Sequence, residues 1–356
     1  MIVLVVNAGS SSLKLRLLDD EATIESADLA PEGSIVEALR GWPAPDVVGH
    51  RIVHGGTEFT SAVRIDERVR QRLEELTDLA PLHQPKSLAA LDAVTAVLPH
   101  VPAVACFDTA FHTTMPAAAA TYAVPRDWQQ RYGVRRYGFH GLSHAYAARR
   151  VSELLGGYVR RVVTCHLGAG ASLAAVVDGR SVDTTMGFTP LEGLVMATRS
   201  GTVDPGLVLW LEEHERLSAR EVATALERRS GVLALAGTAD MREVDQRAGA
   251  GDDGARLALD VYVHRLITSI GAMAAAAGGL DAIVFTGGVG ERSSLVRRRA
   301  AEGLGHLGVA IAQDRNAGAQ PDCDITAPDA AARTLVIAAR EDLQIVGECR
   351  RVLANS

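Results

Sequence analysis

Short β-branched apolar runs alternate with amphipathic stretches along most of the chain. The first 24 residues predict a β-meander: an apolar strand, a Gly/Ser turn at 7–12, a half-exposed strand from Leu13, and a third strand at 22–24. The same strand, small-residue turn, strand and hairpin return over 161–182. An offset of 160 residues pairs Leu13 with Leu173, so the repeated unit is a whole domain.

Helical patterns fill the space between and after the two meanders. Apolar residues recur at helical spacing over 67–76, 87–97, 141–155 and 254–278, and short apolar strands such as 281–285 lie between them. Alternation of strands with helices indicates an α/β protein. We predict two duplicated α/β domains that face each other across a cleft, where ligand sites collect.

Composition and charge limit the classes of partner. The 356 residues are 47% hydrophobic and 22% charged, as expected of a globular protein of about two domains. The formal net charge of −7 predicts no nucleic-acid partner and no membrane partner. There is no basic leader and no uninterrupted apolar run of roughly 18 residues, and the four cysteines are scattered. We expect a cytoplasmic protein.

Three turns of small residues are candidates for phosphate binding. They lie at 7–12, 168–172 and 287–290, and two of them occupy duplicated positions. Such turns let successive backbone N–H groups approach an anion. The patterns GxxxxGK and GxGxxG are both missing, which disfavours P-loop and Rossmann nucleotide sites. We therefore predict a nucleotide triphosphate held from both domains.

Charged residues elsewhere in the chain supply candidate chemistry. Arg51 flanks apolar residues in a glycine-bounded segment, and Arg199 follows an apolar stretch. Both suit bidentate recognition of carboxylate or phosphate, with a solvated surface charge as the alternative. The HxxxH spacing around His140 makes a poor zinc site. His140 is instead a candidate donor near phosphate, with a buried structural histidine as the alternative. Asp108 and Glu341 are candidates for magnesium, directly or through water, with helix or strand capping as the structural alternative.

Nine strings lie in order over nearly the whole chain. They are Asn7-Ala-Gly-Ser-Ser-Ser-Leu-Lys14, Gly49-His-Arg-Ile-Val-His-Gly-Gly56, Ala80-Pro-Leu-His83, Phe107-Asp-Thr-Ala-Phe-His112, Arg136-Tyr-Gly-Phe-His-Gly141, His166-Leu-Gly168, Met186-Gly-Phe-Thr-Pro-Leu-Glu-Gly193, Thr198-Arg199 and Gly287-Gly-Val-Gly-Glu291. Together they resemble the strings of the acetate kinase family in the sugar-kinase and actin-like ATPase superfamily.

The resemblance implies a fold and an activity. The fold is two duplicated actin-like, ribonuclease H-like domains: residues 1–112 with 339–356, closed by the C-terminal helix, and residues 113–338, which carry nucleotide-binding loops. The activity is reversible, magnesium-dependent phosphoryl transfer from ATP to acetate, giving acetyl phosphate and ADP. The resemblance also implies a homodimer.

The resemblance assigns roles to matching residues. Arg51, Asp108, His140 and Arg199 would be catalytic, and Val53, Leu82, Phe139 and Pro190 would surround the acyl methyl together with Arg51. Magnesium would lie at Asn7 and Glu341. The nucleotide and its phosphates would contact Asn7, Ser10, Ser12, Lys14, His166, Gly168, Gly170, Asp240, Met241, Arg242, Gly287, Gly288 and Gly290.

Three departures from the family pattern keep alternatives open. Ala169 and Ala171 stand where the family usually has Asn and Ser, and Arg292 stands where Asn is usual. The chain is also shorter than is typical, chiefly between the first hairpin and His50. One alternative is a propionate or butyrate kinase. The other is a catalytically weakened nucleotide-binding regulator of the same fold.

Overall fold

The chain forms two compact units. A computed structural model describes residues 1–9, 13–30, 33–81 and 83–355. Unit 1 comprises Met1–Thr113, Phe139–Tyr146 and Arg340–Ser356, and unit 2 comprises Thr114–Gly138 and Ala147–Ala339. Each unit is built on a six-stranded mixed sheet.

The strands of the described residues fall into two successive groups. They are β1 (Ile2–Ala8), β2 (Leu13–Asp19), β3 (Ala22–Leu29), β4 (Val47–Ile52), β5 (Val63–Arg64), β6 (Ala103–Phe107), β7 (Arg161–Leu167), β8 (Ala171–Val177), β9 (Arg180–Thr184), β10 (Ala282–Thr286), β11 (Cys323–Asp324) and β12 (Arg333–Val336).

The α-helices are interleaved with the strands, together with 3-10 turns at Leu76–Leu79, Ala110–Thr114 and Gly305–Leu307. The helices are α1 (Ile35–Ala38), α2 (Glu67–Glu75), α3 (Gln84–Val97), α4 (Ala117–Ala120), α5 (Arg126–Tyr132), α6 (Gly141–Leu155), α7 (Pro205–His214), α8 (Ala219–Arg228), α9 (Gly231–Ala236), α10 (Met241–Gly249), α11 (Asp253–Ala276), α12 (Gly287–Arg292), α13 (Ser294–Gly303), α14 (Gln313–Ala317) and α15 (Glu341–Ala354).

The two sheets repeat one topology. Their orders are β3-β2-β1-β4-β6-β5 and β9-β8-β7-β10-β12-β11, with the same parallel and antiparallel pairings at equivalent positions. Even the register shift in the second hairpin pair recurs, between Leu17 and Leu18 and between Ala175 and Val176. A shared irregularity is a feature of related sheets. The predicted duplication and the α/β class are confirmed.

Helices cover both faces of the sheet in unit 1. Val48 faces the cluster that includes Val94 of α3, whereas Gly49 faces α15. A Cβ atom at Gly49 would lie only 2.7 Å from the Cys349 sulfur, so α15 packs directly against β4. Central strands buried on both faces carry near-continuous apolar runs, as here. This packing places Glu341, the first residue of α15, beside the sheet.

The longest helix, α11, lies in the core of unit 2. Among the described residues it alone has the length and composition to cross a membrane, and 44% of its most apolar window is buried. Tyr262, Leu266 and Ile270 on this helix are buried against the rest of unit 2, which is the pattern of a core helix. Asp260, His264 and Arg265 lie along this helix, so it contains no uninterrupted apolar run of the length that a membrane span needs.

Two local predictions differ from the structure. Residues 287–290 were expected to form a turn but begin the short helix α12, with Gly287 at φ +79° on entry. The third strand of the first meander continues to Leu29 instead of ending at residue 24. Its side chains are mostly exposed, so the apolar pattern that reveals other strands is weak there.

Candidate active site

Four predicted site residues of unit 1 converge at the carboxyl ends of β1, β4 and β6 and the start of α15. Arg51 Nε donates to both carboxylate oxygens of Asp108, at 3.2 and 3.1 Å. Arg51 Nη1 donates to Asn7 Oδ1 at 3.2 Å, and Asn7 Nδ2 donates to Glu341 Oε2 at 2.8 Å. Parallel pairing of β1, β4 and β6 brings these strand ends together.

The Arg51–Asp108 pair is almost fully removed from solvent. The Asp108 side chain is 1% exposed and that of Arg51 is 14% exposed. Burial raises the pKa of Asp108 to about 6, with Glu341 and Glu348 adding to the rise and Arg51 opposing it. Burial by itself would lower the pKa of the Arg51 guanidinium, but Asp108 and Glu341 raise it. Both groups are therefore charged at neutral pH.

Backbone geometry fixes the segment that carries His140. Gly141 N–H donates to the Asp108 carbonyl at 2.8 Å, and a Cβ atom at Gly141 would overlap that carbonyl. His140 itself has φ +57°, a region that non-glycine residues rarely occupy. Strained residues of this kind are concentrated at functional sites. The positive φ of His140 is thus consistent with the functional role predicted for this residue.

Two of the predicted acyl-pocket residues are buried in unit 1. Val53 is 4% exposed and Phe139 is 1% exposed. The Phe139 carbonyl lies 3.0 Å from His112 Nε2, and the His54 ring meets the Phe139 ring edge at 5.5 Å. Burial lowers the pKa of His54 and of His112 to about 4, so both imidazoles are neutral at pH 7. Uncharged packing on two sides holds Phe139 in place.

Arg199 in unit 2 has different surroundings from Arg51. Its Nη1 donates to the Pro190 carbonyl at 3.2 Å and lies 3.8 Å from the Met196 sulfur. Burial lowers the pKa of this guanidinium, while Glu227 raises it at longer range. Within the described residues, Arg199 makes no ion pair with a carboxylate. A partly desolvated cation without a paired acid is a receptor for an anion.

The second small-residue turn and the Arg199 loop are tied together. Gly168 N–H donates to the Gly170 carbonyl at 2.9 Å, which closes the turn after β7, and Ala197 N–H donates to the Ala169 carbonyl at 3.2 Å. Ala169 is exposed at the tip, whereas Ala171 is buried at the first position of β8. Of the two alanines that differ from the family pattern, only Ala169 therefore has its side chain exposed to solvent.

The third small-residue segment packs on the end of β7. A Cβ atom at Gly287 would lie 2.8 Å from the Leu167 carbonyl oxygen, so only glycine fits there. Gly287 N–H donates to Glu291 Oε1 at 3.0 Å, and the same oxygen accepts from Ala339 N–H at 2.9 Å. Gly288 has open space around its α carbon, which leaves the backbone accessible to a ligand.

A buried arginine that the sequence analysis missed holds the far end of α12. Arg297 is 1% exposed and donates to the carbonyls of Gly290 and Glu291 at 2.9 and 2.8 Å. Its other N–H groups bind Asn316 Oδ1 and the Asn316 carbonyl, each at 2.8 Å. Burial lowers the pKa of this guanidinium. The one feature of the sequence that could have indicated this site is its partner Asn316, because the chain has only three asparagines.

The remaining predicted residues are more dispersed. Asp240 caps α10 by accepting from Arg242 N–H at 2.9 Å, and both side chains are exposed while Met241 is buried. Lys14 is exposed on β2, in register with Asn7. His166 is the penultimate residue of β7 and is half-buried. The calls on Ser10, Ser12 and Leu82 lie outside the described residues.

Other functional candidates escaped the sequence analysis because their partners are distant in the chain. Glu348, about two turns beyond Glu341 along α15, acts electrostatically on Asp108. In unit 2, the Arg136 guanidinium pairs with Glu192 at 2.7 Å, and Tyr122 O–H donates to the same carboxylate. Arg136 and Glu192 lie within matched strings but had no assigned role.

Comparison with known proteins extends these observations to a class and then to a family. Two repeated α/β units with this sheet order define a duplicated actin-like ATPase fold. Residues 44–347 match the model of the acetokinase family. The chain is 42% identical to the acetate kinase of Carboxydothermus hydrogenoformans over 397 aligned positions, covering 100% of both chains.

Solved structures agree with that match. The acetate kinase of Porphyromonas gingivalis superimposes with a TM-score of 0.91 at 36% identity, covering 99% of both chains. A propionate kinase from Francisella tularensis also gives a TM-score of 0.91, at 34% identity and 98% of both chains. The chain belongs to the acetokinase family.

Proposed function

We propose that this protein is an acetate kinase, which transfers the γ-phosphoryl group of ATP reversibly to acetate. As a member of the acetokinase family it is an ATP-dependent kinase with a carboxyl group as acceptor. The observation that carries the choice of an anionic acceptor is Arg199, whose guanidinium is partly desolvated and has a carbonyl, not a carboxylate, as its described partner.

The chemistry needs electrostatics more than acid–base catalysis. One acetate oxygen attacks the γ-phosphorus, the bond to the β–γ bridging oxygen breaks, and that electron pair leaves on ADP. A carboxylate is already ionised at pH 7, so no general base is required. The barrier lies in bringing two anions together, which positioned cations and donors reduce. Arg51 and Arg199 supply such cations, and His140 would donate to the equatorial oxygens.

We propose Asn7 and Glu341 as the residues that hold Mg²⁺. Two carboxylates, those of Asp108 and Glu341, act on the single guanidinium of Arg51, and Glu348 acts on Asp108, so negative charge is in excess there. No group of three His, Cys, Asp or Glu side chains suited to a metal occurs in the described residues. Mg²⁺ typically takes one or two carboxylates with phosphate and water, so the residues present fit it. When bound, the metal would neutralise phosphate charge.

The other roles follow the family resemblance. The acyl methyl would contact Val53, Leu82, Phe139 and Pro190, and Asp108 would orient the acceptor side through Arg51. The turns at 7–12, 168–172 and 287–290, with His166 and Asp240–Arg242, would surround the nucleotide. The functional domains would divide as residues 1–112 with 339–356 and residues 113–338.

We further propose a cytoplasmic homodimer without nucleic-acid or membrane partners. Helix α7 supports an assembly surface, because none of its ten residues is buried although most are apolar. Leu209 is 58% exposed and Trp210 is 47% exposed. Exposed apolar patches mark interaction sites. Light scattering during gel filtration would give twice the mass of 37.6 kDa for a dimer.

A hydroxylamine trap for acyl phosphate tests the function. The protein is incubated with ATP, Mg²⁺ and acetate, propionate or butyrate, and kcat/KM is compared along the series. We expect acetate to give the highest value, with each added methylene costing about 10-fold or more. A maximum at propionate would instead favour the propionate kinase activity named for the Francisella tularensis structure. No acyl phosphate with any acid would indicate a regulator.

A further inference from the structure

A half-buried polar cluster in unit 2 clamps the loop that follows β9. Arg136 Nη1 donates to three successive carbonyls, those of Thr184, Thr185 and Met186, at 3.2, 3.2 and 3.1 Å. Arg136 Nη2 donates to Glu192 Oε1 at 2.7 Å. One guanidinium therefore joins the beginning of the loop to a residue near its end. Arg136 is well suited to this task, because its planar fork supplies several donors in fixed directions.

Tyr122 completes the cluster from another segment of unit 2. Its hydroxyl donates to Glu192 Oε2 and accepts from Phe188 N–H at 3.0 Å. The Arg136 guanidinium carbon lies 5.5 Å from the centre of the Tyr122 ring, within cation–π range. Burial and the adjacent Glu192 raise the pKa of Tyr122, so the hydroxyl keeps its proton for this bond. The carboxylate of Glu192 is thus held on both oxygens.

The clamped loop carries a residue that orients Arg199. Pro190 lies between Phe188, held by Tyr122, and Glu192, held by Arg136. The Pro190 carbonyl is the backbone acceptor for Arg199 Nη1, at 3.2 Å. A shift of the loop would therefore move both the apolar ring of Pro190 and the acceptor that aims Arg199. A misplacement of about 1 Å at such a site is costly in rate.

We propose that Tyr122, Arg136 and Glu192 form a positioning triad that sets the affinity of the site for the carboxylate substrate. The triad acts through the 185–193 loop on Pro190 and Arg199. This inference rests on the proposed function, since it concerns the same acceptor site. It assigns the triad to the acceptor and not to the nucleotide.

Gly187 shows how closely the triad packs on the loop. A Cβ atom there would overlap both Glu192 Oε2 and the Tyr122 hydroxyl. The Gly187 carbonyl accepts from Tyr137 N–H and Gly138 N–H at 3.0 and 3.3 Å. A methyl group at Gly187 would therefore separate Tyr122 from Glu192 without removing any polar group from the protein.

The first test is Tyr122→Phe, which keeps the ring and deletes the hydroxyl. We expect KM for acetate to rise about 10-fold because two hydrogen bonds to the loop are lost, while KM for ATP stays within about twofold. The matched control is Tyr158→Phe in the same unit, where an exposed hydroxyl donates to Asp178. This control should leave both KM values unchanged.

Two further variants distinguish a positioning role from a general loss of structure. Gly187→Ala should raise KM for acetate at least as much as Tyr122→Phe, and Glu192→Gln should raise it too, each with KM for ATP nearly constant. Equal changes in both KM values, or no change in either, would overturn the positioning role. Failure of the unaltered protein to form acyl phosphate would refute the proposed function instead, and the two failures are therefore distinguishable.

Discussion

The two units share one sheet topology, but the arginines at their candidate sites have different kinds of hydrogen-bond partner. In unit 1, Arg51 forms a bidentate pair with Asp108, whose side chain is 1% exposed. In unit 2, Arg199 has the Pro190 carbonyl as its hydrogen-bond acceptor and makes no carboxylate pair within the described residues. Arg297, also in unit 2, likewise binds carbonyl and amide oxygens.

This contrast shows that a duplicated topology does not fix the electrostatics of a site. A paired guanidinium such as that of Arg51 is held in one orientation, and it neutralises a buried carboxylate that would otherwise be unpaired. A guanidinium without a carboxylate partner, such as that of Arg199, has already lost part of its hydration. No ion pair has to be broken before it binds an anion. We expect the first to matter for both stability and catalysis, and the second mainly for catalysis.

The largest expected effect is on stability. Arg51→Ala leaves Asp108 as an unpaired buried charge, and we expect it to lower the free energy of unfolding by about 3–5 kcal/mol. Arg199→Ala removes no such partner, so its cost should be below about 1 kcal/mol. Urea titration followed by circular dichroism measures both.

The double variant Arg51→Ala/Asp108→Asn sharpens that test. Removing the orphaned charge should recover a large part of the stability lost in Arg51→Ala. Equal destabilisation by Arg51→Ala and Arg199→Ala would contradict the contrast between the two units.

The next effect is on catalysis, where the two arginines should be alike. We expect Arg51→Ala and Arg199→Ala each to lower kcat/KM for acetate on the order of 10²-fold or more, because each removes a cation that offsets the repulsion between two anions. The control is Arg160→Ala, which alters an exposed side chain of unit 2. Near-normal turnover by either site variant would remove that arginine from the mechanism.

The smallest effect concerns acid sensitivity in unit 1. Burial lowers the pKa of His50 to about 4, against a partial rise from Asp92, and neither ring nitrogen has a partner in the described residues. The unfolded chain binds this proton near pH 6.5, so the stability from the neutral imidazole is complete above that pH and is lost as pH falls toward 4.

Replacing His50 isolates this contribution. Between pH 7 and pH 5 one such imidazole accounts for about 2 kcal/mol of lost stability. His50→Leu should reduce the pH dependence of the free energy of unfolding by that amount, whereas the exposed His264→Leu in unit 2 serves as the control. An unchanged slope in His50→Leu would show that this histidine is not buried in its neutral form.

Much of the fold could be predicted from the residue pattern. The two meanders and helix 141–155 follow from local periodicity, and the structure places them within a few residues of the predicted ends, apart from the third strand of the first meander. The α12 segment was misjudged because four small residues carry little periodic signal, and its helix depends on Arg297 binding the last carbonyls. A side chain buried seven residues beyond the motif gives no local sign of that contact.

Residue order is enough to establish the repeated α/β unit, the family strings and the identity of the chemical groups, because these depend on short-range patterns and on residue type. Which of those groups meet in space follows only from the packing of the folded chain. Asn7 and Glu341 are 334 positions apart, yet a strand end and a helix start bring them to 2.8 Å. Tertiary packing also gave Arg51 a carboxylate and left Arg199 with a carbonyl. Charge pairing depends on distance and burial in space, and neither is encoded by the spacing of residues along the chain.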